Sequence, residues 1–312
     1  MKKAIIVGCN GQDGRIAYDL LSSKNYHILG IDRGMVKGSS RSLPIDVSIF
    51  DDVAGILKEF KPDEVYYFAA FHHSSEDKAT EDALNLFKES YRINVLALLH
   101  FLEGMRKFSP QTRLFYAGSS LLFGDADEDI QNESSPFKPE TVYGITKLDG
   151  VLSCRYYRKS YGLFASTGIF YNHESQYRTE NFISKKIIKG ALDIRRGKKE
   201  KLVLGNLHAE VDWGYAPDYV DAAHRILQTD APDEFIVATG KLHSVRDFVS
   251  ITFDYLGLNW KDHVTENKTV LTRNRKTLLG NPSRLMQTTG WRPTVDFKEM
   301  IRLLLIAEGA EL

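Results

Sequence analysis

A tyrosine and a lysine four residues apart, in the run Tyr143-Gly144-Ile145-Thr146-Lys147, are the pair in this chain best suited to chemistry. On a helix, positions i and i+4 share a face. A lysine ammonium beside a phenol favours the phenolate and draws its pKa down from about 10 toward neutrality. Such a tyrosine takes the proton of a hydroxyl while hydride leaves the same carbon. The spacing also arises by chance, and the two residues are then an exposed helix pair. Ser119 and Ser120 close an apolar segment 24 and 23 residues before Tyr143. Their hydroxyls fall at the same sheet end, where Ser119 is placed to hydrogen-bond the reacting oxygen.

A second constellation lies at the start of the chain. Gly8-Cys9-Asn10-Gly11-Gln12-Asp13-Gly14 has GxxGxxG spacing, directly follows an apolar run and opens a helical pattern. Glycines there permit a tight turn and let a pyrophosphate approach backbone amides at a helix N-terminus. Asp32 ends the next apolar run, 18 residues after Gly14. A carboxylate at that distance binds the adenosine ribose hydroxyls and repels a 2′-phosphate. Arg33 beside it is suited to pair with such a phosphate. NAD is favoured and NADP remains possible.

These residues must be positioned by elements legible in the pattern. Residues 4–7, 27–31, 64–68, 113–117 and 164–170 read as strands apolar on both faces. Residues 11–23, 51–60, 83–108 and 143–161 carry helical periodicity. Alternation of the two predicts right-handed crossovers and a doubly wound α/β fold: a parallel sheet covered on both faces. Beyond residue 171 helices are expected at 181–196, 217–227, 244–256 and 297–307, with a short strand at 201–204. Ser244 is the N-cap of its helix and Asp247 its N3 residue. The expected division is residues 1–171 as the cofactor-binding domain and 172–312 as a smaller α/β substrate region, partly interleaved. The cleft is expected at the carboxyl ends of the strands.

Whole-chain properties narrow the partners. The 312 residues contain 41 basic and 41 acidic side chains. That balance gives no long-range attraction to nucleic acid or anionic membrane, so local groups must hold an anionic ligand. No apolar run reaches the length that spans a bilayer, and the four-residue run at 4–7 is too short for a signal peptide. The two cysteines, Cys9 and Cys154, have no CxxC or histidine partners, which fits a reducing, cytoplasmic setting and no metal site. Cys9 reads as an inert small residue rather than a reactive thiol. The basic run at 195–199 reads as a solvated helix end. Tyr156, Tyr157 and Tyr161 are expected to pack on a helix face.

The residues named so far, with Phe68-Ala69-Ala70, resemble an extended short-chain dehydrogenase/reductase, and within it the GDP-mannose 4,6-dehydratase family. Gly11-Gln12-Asp13-Gly14, the block from Gly168 to Ser175 with Asn172-His173-Glu174-Ser175 inside it, and Phe182-Ile183-Ser184-Lys185-Lys186-Ile187 match that family. So do Gly205-Asn206-Leu207, the segment from Asp212 to Val220, Leu279-Gly280-Asn281-Pro282 and Gly290-Trp291-Arg292-Pro293. The resemblance implies a Rossmann-type fold and oxidation at C4 of a nucleotide-diphosphate sugar, GDP-sugars being favoured. It implies Tyr143 as base, with Lys147 orienting the cofactor ribose and Ser119 and Ser120 near the C4 oxygen. It extends the cofactor contacts to Asp46, Val47, Phe68, Ala69 and Ala70. Asn172 and Glu174 are expected near the sugar diphosphate, and Lys186 and Asn206 in the nucleotide pocket. A homodimer or homotetramer is expected through the helical regions 83–108 and 143–161.

The chain departs from that family at the residue that performs dehydration. The dehydratases carry a glutamate two positions after the first hydroxyl residue, where it removes the C5 proton and helps expel water from C6. Here that position is Leu121, which has no proton to exchange. General acid–base help contributes about two to four orders of magnitude. The sequence therefore favours a 4-ketoreductase, 4-dehydrogenase or epimerase over a 4,6-dehydratase. A dehydratase requires a substitute such as His72, His73 or Glu76; the plainer reading of those histidines is pocket-shaping loop residues. The family's basic residue before Asp212 is Val211, and Arg273 or Arg275 is expected to take over its phosphate contact. A cofactor-sensing scaffold without catalysis would be free to lose Tyr143, Lys147 or Ser119, and all three are present.

Overall fold

The computed structural model describes residues 1–33, 42–71, 82–267 and 277–312. The first half alternates strand and helix: β1 (Lys3–Val7), α1 (Gln12–Ser23), β2 (His27–Asp32), β3 (Ser42–Pro44), α2 (Phe50–Phe60), β4 (Glu64–Tyr67), α3 (Ala83–Tyr91), α4 (Ala97–Phe108), β5 (Arg113–Ser119), α5 (Val142–Tyr161) and β6 (Ala165–Phe170). Then come β7 (Asn172–Glu174), α6 (Ile183–Arg195), β8 (Leu202–Leu204), β9 (Glu210–Tyr215), α7 (Ala216–Ile226), β10 (Glu234–Val237), β11 (Leu242–Ser244), α8 (Val245–Tyr255), β12 (Val264–Glu266), α9 (Ser283–Thr289) and α10 (Phe297–Ala307).

Among the described residues a seven-stranded sheet runs in the order β10-β6-β5-β4-β1-β2-β3, with every neighbouring pair parallel. Strand order reverses between β1 and β4, so right-handed crossovers place α1 and α2 on opposite faces. Helix α1 packs with α7, and α2 with α4. The crevice for a ligand opens at that reversal, beyond the strand carboxyl ends. Adjacent residues are fully buried, as Ile5 with Ile6 and Leu114 with Phe115, which is why these strands read as apolar on both faces.

The long helical region 83–108 contains a π turn at Arg92–Leu96 between α3 and α4. Such turns reposition side chains at functional sites. This one holds Asn94, fully buried: its Oδ1 accepts from Phe71 N at 2.8 Å and its Nδ2 donates to Thr146 Oγ1 at 2.9 Å. The loop after β4 is thereby tied to α5, one residue before Lys147.

A second core gathers Ile187, Leu192, Trp213, Phe248, Phe253, Met300 and Leu304 from α6, β9, α8 and α10. The chain passes between the two cores rather than dividing once. Residues of α7 and β10, such as Tyr219, Ile226 and Ile236, return to the first core. Two carboxylates fasten the regions. Asp212 accepts from Thr239 N at 2.9 Å, Thr239 Oγ1 at 2.5 Å and Gly240 N at 3.0 Å. Asp218 accepts from Thr294 N at 2.9 Å and Val295 N at 3.1 Å. The segment from Asp212 to Val220 is therefore largely a structural clamp. Ser244 and Asp247 form a reciprocal capping box on α8, and α10 spans the same residues that the periodicity predicts.

Candidate active site

The glycine turn is shaped by backbone contact. Gly8 has φ +84°, and a Cβ there would lie 2.7 Å from Ala69 N. A Cβ at Gly14 would lie 2.2 Å from Gly8 O. Only glycine permits this closeness of β1, α1 and the loop after β4. Gly11 caps α1 without a side-chain hydrogen bond, leaving first-turn amides to an incoming anion. Asp32 closes the turn: its carboxylate accepts from Asn10 N at 3.0 Å and Arg33 N at 2.8 Å. Arg15 Nε donates to Asn10 O at 2.8 Å.

A cavity of about 980 Å³ extends from this turn along the sheet end. Gly8, Asn10, Gly11, Gln12, Asp13, Gly14, Asp32, Arg33, Val47, Phe68, Ala69 and Ala70 line it, as do Ser119, Ser120, Leu121, Tyr143, Lys147, Asn172 and Asn206. Two elements deliver the hydroxyl groups. Strand β5 ends at Ser119, whose Oγ accepts from Leu121 N at 3.3 Å within a tight 3₁₀ turn. Helix α5 begins with Tyr143 in its first turn, capped by Thr141 Oγ1, which accepts from Gly144 N at 3.0 Å.

Lys147 lies one turn further and is only 1% exposed. Its Nζ donates to Ala117 O at 2.7 Å, 4.9 Å from the centre of the Tyr116 ring and 5.6 Å from that of Tyr143. Burial pushes the ammonium down to about 7, against the opposing pull of Asp13. Burial likewise pushes the Tyr143 phenol above its ordinary value, opposed by the positive charge of Arg178. This corrects the expectation from spacing alone, in which the lysine draws the phenol down. Burial outweighs the opposing charge of Arg178.

Several expected contacts fall elsewhere. Glu174 is not a lining residue; it accepts from Ser184 Oγ at 2.6 Å and from Arg178 Nε at 3.0 Å, and so holds an arginine that does line the cavity. Lys186 is not a lining residue, because Phe182 and Ile183 present that part of the chain to the cavity. Asp46 accepts from Ser48 N and Oγ at 2.9 and 2.6 Å and leaves the lining to Val47. His72, His73, Glu76, Arg273 and Arg275 lie outside the described residues. Tyr156 and Tyr161 are exposed on α5, the first meeting the Tyr157 ring edge-on and the second at a tilt.

Other lining groups were not singled out by spacing. His173 on β7 stands between Tyr171 O, 2.7 Å from Nδ1, and the Asp13 carboxylate, 3.1 Å from Nε2. Its ring stacks on Tyr219 at 4.8 Å. Gln12 reinforces this junction, donating to His173 O at 3.1 Å and accepting from Ser175 Oγ at 2.8 Å. Arg178 is anchored through Nε and stacks 3.8 Å from the Phe182 ring centre. His173 sits inside the Asn172–Ser175 block, so a sequence signal existed. Its partner Asp13 is 160 positions away.

The model of the GDP-mannose 4,6 dehydratase family matches residues 5–304. This chain belongs to that family. It is 33% identical over 336 residues to GDP-mannose 4,6 dehydratase 1 of Arabidopsis thaliana, covering 100% of this chain and 90% of that one. It is 32% identical to GDP-mannose 4,6-dehydratase of Vibrio cholerae, covering 96% and 91% of the two chains. Among solved structures, a UDP-glucose 4-epimerase from Thermus thermophilus in complex with NAD superposes with TM-score 0.82 at 21% identity, covering 99% of this chain and 100% of that one. RMD from Pseudomonas aeruginosa, complexed with NADPH, also gives 0.82, at 18% identity with 98% of both chains covered. These structures share the fold. In this chain the Leu121 carbonyl packs on the first turn of α5, where a Cβ at Gly144 would lie 2.5 Å away.

Proposed function

We propose that this chain is an NAD-dependent oxidoreductase that transfers hydride at C4 of a nucleotide-diphosphate sugar and leaves C5 and C6 intact, as a 4-ketoreductase or, in reverse, a 4-dehydrogenase. One observation carries the reading. Leu121 lines the cavity where the family's dehydratases carry their acid–base glutamate, while Tyr143, Lys147 and Ser119 line the same cavity. Of the described lining carboxylates, Asp13, Asp32 and Asp212 are occupied by His173, by the amides of Asn10 and Arg33, and by Thr239 and Gly240, and Glu210 is exposed at the start of β9.

The crowded glycine turn and the uncapped start of α1 fit a dinucleotide pyrophosphate, with Asp32 at the ribose. When bound, the nicotinamide supplies or accepts the hydride. The chain supplies the proton: Tyr143, protonated at neutral pH, gives it to the C4 oxygen of a ketone, and Ser119 hydrogen-bonds that oxygen. A buried phenol held protonated suits reduction of a ketone. Incubation with GDP-, CDP-, UDP- and dTDP-sugars and either nicotinamide redox state tests the proposal by mass. A change of about 2 Da is expected; loss of about 18 Da at an ordinary enzymatic rate contradicts it.

Asp32 makes NAD the preferred cofactor, since its carboxylate faces the position of a 2′-phosphate. The expected kcat/KM ratio of NAD over NADP is at least about tenfold, corresponding to about 1.4 kcal/mol, and Asp32→Asn narrows it. Steady-state kinetics with both cofactors checks this. We further propose a homodimer formed through α4 and α5, of which α5 exposes Leu152, Tyr156 and Tyr161. Sedimentation velocity tests it.

A further inference from the structure

We propose that His100 is a positioning residue for the cofactor: it holds the backbone at Val47, so that the wall of the adenosine pocket is formed before the dinucleotide arrives. The inference rests on the dinucleotide site and is independent of which sugar is the substrate. Topology puts this wall beside Asp32. Strand β3 lies against β2 with Pro44 opposite Asp32. The chain therefore leaves the sheet edge at Ile45, next to the carboxylate placed at the ribose. Ile45 and Val47 both line the cavity, and Val47 is 5% exposed. An apolar surface beside a ribose-binding carboxylate suits the face of a purine ring.

Residues 45–49 belong to neither helix nor strand, so separate ties must set their course. Some are local: the Asp46 carboxylate accepts from Ser48 N and Oγ, and Asp46 O accepts from Ile49 N at 3.0 Å. These fix the shape of the turn but not where it sits. Arg92 approaches Asp46 at 3.9 Å, yet both side chains are solvent-accessible and Arg92 is closer to Glu89, at 2.7 Å. Such an exposed, long pair contributes little.

His100 supplies the firmer tie. It stands on α4, and its Nδ1 lies 3.0 Å from Val47 O. A carbonyl oxygen only accepts, so Nδ1 carries the hydrogen and donates it. The same ring meets Phe50, the first residue of α2, edge-on at 5.8 Å. Helix α4 packs on α2, so a buried element of the core sets the loop between β3 and α2. Asn94, in the π turn that precedes α4, fixes Phe71, which also lines the cavity. The stretch from Asn94 to His100 thus holds two parts of the cavity wall. A wall held in place without ligand spares the dinucleotide the cost of ordering it.

Two substitutions separate the hydrogen bond from the ring. His100→Phe keeps an aromatic ring against Phe50 and removes the donor. His100→Asn keeps a donor at the place of Nδ1 and removes the ring. The full chain, freed of bound nucleotide, is titrated calorimetrically with NAD and with ADP-ribose, which lacks only the nicotinamide ring. The expected result is that His100→Phe raises both Kd values by the same factor, about 3- to 10-fold, while His100→Asn stays within about twofold of the parent. Should His100→Phe not fold, His100→Leu serves as the variant without a donor. Parent-like affinity in the variant without a donor overturns the proposal. So does equal weakening in His100→Asn, which assigns the effect to ring packing, or weakening toward NAD alone, which places it at the nicotinamide end. A parent that does not bind ADP-ribose overturns the adenosine assignment and this inference with it. The expected Kd pattern without hydride transfer to any nucleotide sugar would support the role of His100 and overturn the proposed reaction.

Discussion

Tyr143→Phe lowers kcat by about 10²- to 10⁴-fold while leaving cofactor affinity within a few-fold of the parent. The phenol is the proposed proton donor, and the substitution removes only its oxygen. The ring remains in the first turn of α5, capped by Thr141. A scaffold that only senses cofactor would show no comparable loss. The pH profile gives a second check. Burial holds the Tyr143 phenol above its ordinary value. Its acid form, which a ketone reduction uses, is complete below that raised value and is lost only as pH rises through it. Reduction is therefore flat with respect to Tyr143 across neutral pH and falls at alkaline pH, whereas oxidation, which uses the phenolate, accelerates with rising pH. Turnover measured in both directions across pH decides it. Retained activity in Tyr143→Phe assigns the proton transfer to another group.

Lys147→Met moves activity and stability in opposite directions. Among the described residues the parent buries its ammonium against one hydrogen-bonded carbonyl, Ala117 O, and the rings of Tyr116 and Tyr143. Desolvating a cation with so little compensation costs several kcal/mol, and its pKa falls to about 7 in response. Methionine fills a similar volume without that cost, so Tm rises by a few degrees at neutral pH. Turnover falls about 10²-fold or more, because the cation beside Tyr143 is gone. Linkage gives the pH dependence. The unfolded chain keeps the lysine proton to about pH 10.4, whereas the folded chain releases it near 7. Between those values the unfolded state binds more protons, so this residue's contribution to stability grows more favourable as pH rises through the window. The variant loses that slope. Calorimetric Tm values at a series of pH values, set beside kcat, check both halves.

The parts of the site legible in the sequence are those set by local chemistry. The glycine turn announces itself because Gly8 and Gly14 sit where backbone atoms crowd any side chain. Tyr143 and Lys147 are legible through helical spacing, and α8 through Ser244 and Asp247, which cap it reciprocally. Strands β7 and β9 escape because Asn172, His173 and Glu174, and Glu210 and Asp212, break apolar alternation. Those strands are held by long-range pairing and side-chain clamps. The π turn hides inside continuous helical periodicity, and only the tertiary contact of Asn94 with Phe71 and Thr146 reveals its use. The direction of the Tyr143 shift differs from the expectation for a related reason. Spacing shows the lysine, but burial is a property of the assembled core.

Glu174 and Lys186 mark the same boundary. Both lie in segments that match the family, yet one holds Arg178 and the other is absent from the cavity wall. A motif identifies which segment approaches a ligand; the backbone path decides which of its side chains arrives.

The central claim is hydride transfer at C4 with C5 and C6 untouched. The direct measurement supplies NADH carrying deuterium at the transferring position together with a 4-keto nucleotide sugar, and locates the label in the product by NMR and mass spectrometry. The account predicts deuterium on C4, a mass gain of about 3 Da and an intact C6. Deuterium on C6, or loss of water from a 4-hydroxy sugar at an enzymatic rate, would contradict it.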